Sequence, residues 1–380
     1  MDLSTSNYAS SSGWSATLDP ELDSERTLVL VFGASRFAQD PSPLRELIAA
    51  YPRSHVLGCS TSGEIFGTKL ADDTLSVAVL RFEGTDIASA SARVDSAEGS
   101  LAAGAELART LTREDLRAIL VLSDGLNVNG SELVRGFNSE LPDSVVVSGG
   151  LAGDGDRFQS TWVLDDSGPR AGLVAAVGLY GERVRVGHGS KGGWDIFGPE
   201  RLVTRSRDNV LFELDGQPAL ELYKRYLGER AAGLPATALL FPLALRGEER
   251  DTKVLVRTVL GIDEASQSMT FAGNVPQGHR AQLMRANFER LIDGASQAAA
   301  STRRTAGAQA AGTLSIAISC VGRRLILGER TEEEIEAALE ELPRGTQQIG
   351  FYSYGEISPY ASGHCDLHNQ TMTLTTLSEE

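Results

Sequence analysis

Three loops in the sequence end in a glycine followed by an acidic residue. Residues 58–65 and 350–357 share the pattern Gly-x-x-x-x-Gly-Glu-Ile and lie near opposite ends of the chain. Residues 144–154 align with residues 54–64 as a looser copy, in which Ser148 replaces the first glycine and an aspartate ends the loop. Glycines let a backbone turn sharply and approach a ligand closely. A reused loop of this kind predicts a ligand site.

The loop acids Glu64, Asp154 and Glu356 are the first candidates for ligand contacts. A carboxylate there can hold an ammonium group, while nearby backbone N–H groups can hold a carboxylate. The alternative is that each acid caps the following turn and only holds its loop. The sequence leaves both open. The full candidate ligand-binding set is Ser60, Thr61, Gly63, Glu64, Gly150, Asp154, Trp194, Tyr352, Tyr354, Gly355 and Glu356.

Residues 187–192 match the dinucleotide-binding pattern Gly-x-Gly-x-x-Gly. That motif has meaning only between a strand and a helix that receives a pyrophosphate. The next residues, Gly-Trp-Asp-Ile-Phe-Gly-Pro, are unsuited to start a helix. We therefore interpret the segment as a loop that shapes a pocket wall, with Trp194 as an apolar face for a ligand.

Cys59 lies in the first loop and is the candidate nucleophile for an enzymatic alternative. A catalytic cysteine needs a base or a positive group that stabilises its thiolate. His55 lies four residues earlier, along the preceding strand, and this spacing does not place it within reach of the thiol. A small buried cysteine is the simpler interpretation.

Residues 364–368, His-Cys-Asp-Leu-His, hold four potential metal or haem ligands in five positions. Their spacing matches no strong metal signature. Asp154 and Asp156 lack the longer spacing of a calcium loop. The sequence contains no Gly-x-Ser-x-Gly, His-Glu-x-x-His or Walker motif, so it predicts no catalytic residues, no metal site and no familiar hydrolase or NTPase.

The chain has 380 residues, a net charge of −16 and no basic block, which argues against nucleic acid or an anionic membrane as a partner. Its three cysteines lack Cys-x-x-Cys spacing, so no disulfide framework is expected. The first residues do not resemble a signal peptide, and no apolar run approaches the ~18 residues of a membrane span. We expect a cytoplasmic protein.

Apolar runs and turn residues predict repeated strand–helix–strand units in the first half. Residues 27–33, 43–50 and 54–57 form one unit, and residues 117–122, 129–141 and 144–147 repeat it. Units of this length favour parallel pairing with right-handed crossovers. Short strands over residues 159–214 then indicate an antiparallel layer.

The second half begins with a helix at Pro218. We predict further helices over residues 282–292 and from Thr331 to Leu342, the latter opened by a Thr-Glu-Glu-Glu capping box. The fold class is α/β, mixed with α+β. Its duplicated strand–helix–strand units and mixed sheets form two halves around a shared cleft. The expected divisions are a flexible lead-in over residues 1–26 and domains over residues 27–217 and 218–380.

With these loops in place, the sequence resembles the FIST family. The resemblance is carried by residues 58–65, 149–154 and 350–357, and by Asp-Gly-Gln-Pro-Ala at 215–219 with the helix over 221–226. The motifs follow the family's order and cover nearly everything from Thr27 onward, as N-terminal and C-terminal FIST domains.

The resemblance implies a non-catalytic sensory domain that binds a small ligand, with amino acids or related metabolites first. The expected partner is a separate signalling protein such as a histidine kinase. The family also implies a haem-binding nitric-oxide sensor as an alternative, for which the available ligands are His55, His188, His279, His364 and His368. No other cofactor is predicted. The second alternative is an enzyme that uses Cys59 and the loop carboxylates.

Overall fold

The computed structural model describes residues 1–165, 168–247, 254–306, 312–360 and 363–380. The fold is mixed α/β, with 43% strand against 27% helix, so the predicted fold class is confirmed. Four sheets carry the described strands.

The first half of the chain supplies most of the strands and three helices. The strands are β1 (Asp2–Ala9), β2 (Gly13–Trp14), β3 (Thr27–Ala34), β4 (His55–Thr61), β5 (Glu64–Phe66), β6 (Lys69–Ala71), β7 (Thr74–Arg81), β8 (Asp86–Arg93), β9 (Leu116–Ser123), β10 (Val146–Leu151), β11 (Val163–Asp165), β12 (Gly168–Arg170), β13 (Leu173–Tyr180), β14 (Val184–Lys191), β15 (Asp195–Arg207) and β16 (Val210–Leu214). The helices are α1 (Ser42–Ala50), α2 (Ser100–Leu111) and α3 (Gly130–Glu140).

The second half adds the remaining described strands and four helices. The strands are β17 (Gln217–Pro218), β18 (Leu243–Arg246), β19 (Leu255–Arg257), β20 (Val259–Asp263), β21 (Ser268–Phe271), β22 (Arg280–Arg285), β23 (Leu314–Cys320), β24 (Gln347–Ser353), β25 (Gly355–Pro359), β26 (Cys365–His368) and β27 (Met372–Glu379). The helices are α4 (Ala219–Leu227), α5 (Phe288–Ala306), α6 (Val321–Leu327) and α7 (Thr331–Glu340).

Strands of both halves pair in three of the four sheets. One sheet has the order β26-β25-β10-β9-β13-β8, and another has the order β14-β27-β23-β24-β5-β6. The third, β12-β11-β4-β3-β7-β1-β2, belongs to the first half. The fourth, β19-β18-β22-β15-β16-β21-β20, joins β15 and β16 of the first half to strands of the second. The strands on either side of each terminal glycine–acid turn, β4–β5 and β24–β25, therefore lie in different sheets. These turns lie where the sheets meet.

Within the described ranges, the chain has three parallel strand pairs, β3–β4, β9–β10 and β23–β24, and each contributes at least one strand to a shared apolar core. Phe32 and Phe351 meet there with ring centroids 4.7 Å apart. In each pair, a glycine faces the backbone of its neighbouring strand. A Cβ atom would come within 2.5 Å of a carbonyl oxygen at Gly58, 1.7 Å at Gly149 and 1.9 Å at Gly350. The packing equivalent of Gly58 is therefore Gly149, one residue after the aligned Ser148.

Gly350→Ala tests whether this close approach is needed. The added methyl group meets the Ala317 carbonyl, which is backbone and has no side-chain freedom to move away. We expect the free energy of unfolding to fall by at least about 2 kcal/mol in a denaturant titration. The matched control is Gly261→Ala, because that strand glycine has open space where its Cβ would lie. Equal stability of the two variants would contradict the packing argument.

The predicted flexible lead-in over residues 1–26 is wrong. β1 pairs antiparallel with β7 along its whole length, from Asp2 opposite Arg81 to Ala9 opposite Thr74. The N-terminal ammonium also lies 3.5 Å from the Glu379 carboxylate. The serine-rich composition indicated flexibility, but a neighbouring strand satisfies the backbone whatever the side chains are.

Two helix predictions in the second half need correction. The predicted helix over 282–292 is the strand β22 up to Arg285, where burial alternates over residues 280–283, and α5 begins only at Phe288. Thr331 does not cap α7, since the N-cap position is Arg330 and makes no side-chain cap. Glu334 points into the protein instead, where it pairs with Arg323.

The longest described helix, α5, has 19 residues. Neither it nor any other helix in the described ranges combines the length and the apolar character needed to cross a membrane.

Candidate ligand-binding site

Two adjoining cavities lie beside the first glycine–acid turn. The first, which we call the polar cavity, has a volume of about 530 Å³. The turn after β4, the segment after β10 and helix α6 form its walls. Its polar lining residues include Thr61, Ser62, Glu64, Asp72, Asp73, Asp156, Arg157 and Arg324. The turn and the segment after β10 follow the carboxyl ends of parallel-paired strands, where α/β sheets usually bind ligands.

The second cavity, which we call the apolar cavity, has a volume of about 560 Å³. Its apolar walls include Phe158, Leu234, Pro235, Leu239, Val259, Leu260 and Tyr354. The Phe158 and Tyr354 rings stack with centroids 4.4 Å apart. Asp156, Val321 and Leu325 line both cavities, so the two adjoin. We call the combined space the cleft.

An arginine of the second half closes one side of the polar cavity. The Arg324 guanidinium makes two bonds to the Asp72 carboxylate, at 2.8 and 2.6 Å, and also donates to the Ser62 carbonyl. The hydrogen bond to Asp72 is the main cause that raises the pKa of Arg324. Helix α6 is therefore fastened to the first glycine–acid turn.

Glu64 lies at the base of the polar cavity with 2% of its surface exposed. Its carboxylate accepts hydrogen bonds from the Thr61 hydroxyl, the Thr74 N–H at 3.0 Å and the Thr74 hydroxyl at 2.8 Å. Burial raises the pKa of Glu64 to about 7, against the effect of these donors. Both carboxylate oxygens are engaged within the protein, so Glu64 primarily holds its turn.

Glu356 repeats this arrangement away from both cavities. Its carboxylate accepts hydrogen bonds from the Ser353 hydroxyl at 2.7 Å, the Thr371 N–H at 3.2 Å and the Thr371 hydroxyl at 2.9 Å. The side chain is fully buried, and burial raises its pKa to about 8. The loop-holding alternative therefore describes both glutamates.

Asp154 shapes the segment that separates the two cavities. It accepts hydrogen bonds from the N–H groups of Phe158, Gln159 and Ser160, each at 2.9 Å, and from the Tyr354 hydroxyl. Burial raises the pKa of Asp154, but the bonds from Tyr354 and the three amides outweigh it, and the pKa lies below its usual value. Asp154 therefore positions the stacked aromatic wall.

The cleft brings together only part of the predicted ligand-binding set. Four of the predicted residues line it: Thr61, Gly63, Glu64 and Tyr354. Ser60 accepts the Trp162 N–H at 3.0 Å, and the Tyr352 hydroxyl donates to Glu334 at 2.7 Å. The Trp194 indole donates to the Gln370 carbonyl at 2.8 Å and lines neither cavity. Its role as a pocket wall does not fit this position.

Gly150 and Gly355, the other predicted members, lie on the facing strands β10 and β25. A Cβ at Gly150 would come within 3.1 Å of the Gly355 carbonyl oxygen. These glycines permit close strand packing and line neither cavity.

Helix α6 contributes to the site although the sequence motifs did not point to it. Val321, Arg324 and Leu325 line the polar cavity, and none of them was a candidate. The sequence could have pointed to this helix, because it follows the buried strand that ends at Cys320. Residues after the carboxyl end of a parallel strand tend to contact a ligand.

Cys59 is unsuited to be a nucleophile. It is fully buried in the shared apolar core with Phe32 and Leu57, and burial raises the pKa of its thiol well above the usual value. The His55 ring is hydrogen-bonded to the Ser89 hydroxyl at 2.6 Å. The Cys59 part of the enzymatic alternative is wrong.

None of the five histidines lines either cavity, as far as the described residues define them. His364 pairs with Asp143 at 3.1 Å, and the His368 ring bonds the Ser358 carbonyl at 2.9 Å. No group of three His, Cys, Asp or Glu side chains in the described part of the chain converges as a metal site. A histidine-ligated haem in the cleft does not fit these positions.

The chain folds as a mixed α/β protein in two halves, with a polar and an apolar cavity side by side. The FIST N domain profile matches residues 27–217, and the FIST C domain profile matches residues 219–359. The chain therefore belongs to the FIST family, as the sequence motifs predicted. FIST domains are small-ligand sensory modules of signalling proteins.

Two uncharacterised proteins of Mycobacterium tuberculosis are similar to the chain. They come from strains CDC 1551 / Oshkosh and ATCC 25618 / H37Rv, and each is 26% identical over 366 residues, 91% of this chain and 89% of its own length. The crystal structure of cyanuric acid hydrolase from A. caulinodans superimposes with a TM-score of 0.39 at 10% identity, covering 100% of this chain and 99% of its own.

Proposed function

We propose that this protein is a sensor that binds an amino acid or a related amine-bearing metabolite in the cleft and signals to a separate protein. The observation that carries the proposal is the charged junction between a polar and an apolar cavity. An amino acid has the same division, with a charged head and a side chain.

The amine binds at Asp156 in this proposal. Asp156 lines both cavities, and its carboxylate has no hydrogen-bond or ion-pair partner within the described ranges. Two other acids of the polar cavity, Asp72 and Asp73, pair with arginines. Glu329 also has no partner among the described residues, but it lines the polar cavity alone and not the junction. A ligand ammonium group therefore finds its free carboxylate at the junction.

The ligand carboxylate binds at Arg157, the next residue along the chain. The Arg157 guanidinium lines the polar cavity and donates to the Ser35 hydroxyl at 3.1 Å. Its nearest carboxylate, on Asp154, is 4.0 Å away and already accepts several hydrogen bonds. The guanidinium therefore keeps donors for a ligand.

The ligand side chain enters the apolar cavity. Thr258 lines this cavity with 4% of its surface exposed, and its hydroxyl has no hydrogen-bond partner among the described residues. A buried hydroxyl without a partner is unfavourable. A ligand whose side chain carries one polar atom satisfies it, which favours such a side chain over a purely aliphatic one.

The proposed signal arises from the hydrogen bonds that Arg324 of α6 makes to Ser62 and Asp72 of the first half. Ligand binding beside Arg324 biases the contact that joins the two halves, and only such a differential contact shifts a conformational equilibrium. The partner we propose is a histidine kinase or a similar protein in the cytoplasm. The family's sensory role supports a signalling partner. The low number of cysteines, three in 380 residues, supports the cytoplasmic location.

Asp156→Asn tests the amine contact. The tightest ligand from a thermal-shift screen of amino acids and amines is titrated calorimetrically into the wild type and the variant. We expect the Kd to rise at least about 10-fold, because a hydrogen bond between charged groups contributes about 1.5–3 kcal/mol. Glu114→Gln is the matched control, since it removes one exposed negative charge far from the cleft. A screen without any stabilising amine, or equal affinity in Asp156→Asn, would contradict the proposal.

A further inference from the structure

A third cavity lies between α3 of the first half and β18–β19 of the second, apart from the cleft. We call it the interdomain cavity. Its volume is about 310 Å³, and its lining includes Ser131, Glu132, Arg257, Asn274 and the apolar side chains of Leu245 and Leu255. None of these residues lines the cleft. The cavity therefore requires an explanation of its own.

Arg257 places a buried cation in this cavity. The residue is 4% exposed, and its guanidinium donates to three backbone carbonyls: Nε to Asn274 at 3.0 Å, and Nη1 to Val256 at 3.1 Å and Leu367 at 3.0 Å. Within the described ranges, no carboxylate lies within 4.0 Å of it and Nη2 has no hydrogen-bond partner. A buried charge is costly unless it is paired.

The electrostatics agree with this geometry. Burial lowers the pKa of Arg257 to about 10, and the negative charge of Asp366 only partly opposes that effect. The guanidinium is nevertheless charged at neutral pH. Among the described residues, it therefore remains a cation without a close counterion.

Ser131 adds a second donor to the same cavity. Its Oγ accepts the Asn274 N–H at 3.1 Å, and no acceptor for its own proton is present among the described residues. The nearby Glu132 carboxylate does not fill that role, because its two oxygens are held by the Asn274 amide at 2.9 Å and by Arg135 at 2.7 Å. The interdomain cavity thus has two free donors.

We propose that the interdomain cavity binds a small aliphatic carboxylate. Arg257 Nη2 and Ser131 Oγ donate to the carboxylate oxygens, and Leu245 and Leu255 contact the hydrocarbon chain. The mostly apolar wall disfavours inorganic phosphate, which has no hydrocarbon part and loses more hydration on burial. This second site is independent of the amine site, because Arg257 faces the interdomain cavity whereas the adjacent Thr258 faces the apolar cavity.

Saturation-transfer NMR with butyrate on the full chain tests the proposal. We expect signals from the butyrate chain protons in the wild type and none in Arg257→Met. In Ser131→Ala, the affinity for butyrate should fall at least about 5-fold. Arg205→Met is the matched control, because Arg205 pairs with Glu213 on an exposed strand. It should bind butyrate as the wild type does. Should Arg257→Met fail to fold, Ser131→Ala still decides the outcome.

Competition distinguishes the anions. We expect propionate to displace butyrate, whereas inorganic phosphate at the same ionic strength does not. Displacement by phosphate at equal or lower concentration would overturn the carboxylate assignment. Undiminished butyrate signals in both Arg257→Met and Ser131→Ala would overturn the site itself. Failure of the amine site would be seen separately: Asp156→Asn would bind the amine ligand as tightly as the wild type, while butyrate binding stayed intact.

Discussion

Replacing Glu334 by alanine is expected to lower the free energy of unfolding by about 3–5 kcal/mol, because it leaves a buried arginine without its counterion. Glu334 and Arg323 are both fully buried and lie 2.6 Å apart. The glutamate also accepts the Ser319 hydroxyl at 3.0 Å and the Tyr352 hydroxyl at 2.7 Å. A chemical denaturation titration measures the loss.

The same pair fastens the base of helix α6. Arg323 donates to the carbonyls of Leu291 and Gly192, and the next residue, Arg324, reaches the cleft. We therefore expect Glu334→Ala to weaken ligand binding as well as stability.

Glu213→Ala is the control for the buried pair, since it breaks the exposed pair with Arg205 at 2.9 Å. Such surface pairs contribute about 0–1 kcal/mol. A Glu334→Ala variant as stable as Glu213→Ala would contradict the claim that the buried network holds α6. The double variant Arg323→Met/Glu334→Leu should recover part of the loss, because it removes both charges together.

The protein is expected to lose stability as the pH rises from about 5 to about 9. Glu64 and Glu356 have folded-state pKa values of about 7 and about 8, against 4.5 for the ordinary side chain. A raised carboxyl pKa means that the folded protein holds its proton more tightly than the unfolded chain. Stability is then fullest below about pH 4.5 for these two groups, and falls as the pH passes upward through the folded values.

The expected loss between pH 5 and pH 9 is about 3 kcal/mol or more, because a tenfold difference in proton affinity between the folded and unfolded chain corresponds to about 1.4 kcal/mol. Denaturant titrations across this range measure it. Glu356→Gln should flatten the slope, since its side chain stays neutral while its oxygen still accepts from Thr371. Glu114→Gln, an exposed change, should keep the slope of the wild type. A stability that rises between pH 5 and pH 9 would contradict the assignment.

Local patterns predicted much of the fold. The predicted strand over 27–33 and the predicted helices over 43–50 and 129–141 match β3, α1 and α3. The last of these begins locally, because Asn129 accepts the N–H groups of Ser131 and Glu132. The glycine–acid repeat also identified the region of the cleft. These features depend on nearby residues, which a sequence shows directly.

The errors arose where distant contacts outweighed local preference. Glu334 fits a capping box by spacing, but the buried Arg323 attracts it inward. The lead-in pairs with β7, about 70 residues later. Trp194 donates a hydrogen bond to Gln370, which lies 176 residues later in the sequence. The spacing of residues within a short segment does not predict contacts with residues so far away in the sequence.

Distant partners also account for what was missed in the site. The sequence left open whether the glutamates ending the first and last loops contact a ligand or hold their loops. Their partners Thr74 and Thr371, which decide for loop-holding, lie 10 and 15 residues away. The apolar cavity needs residues from 156 to 354, which only the folded chain brings together.

Hydrogen–deuterium exchange with and without the tightest amine ligand tests the sensor proposal most directly. We expect slower exchange in residues 61–64, residues 155–158 and helix α6, with little change at α3 and β18. Ligand protection at α3 and β18, with the residues around the cleft unchanged, would contradict the proposal.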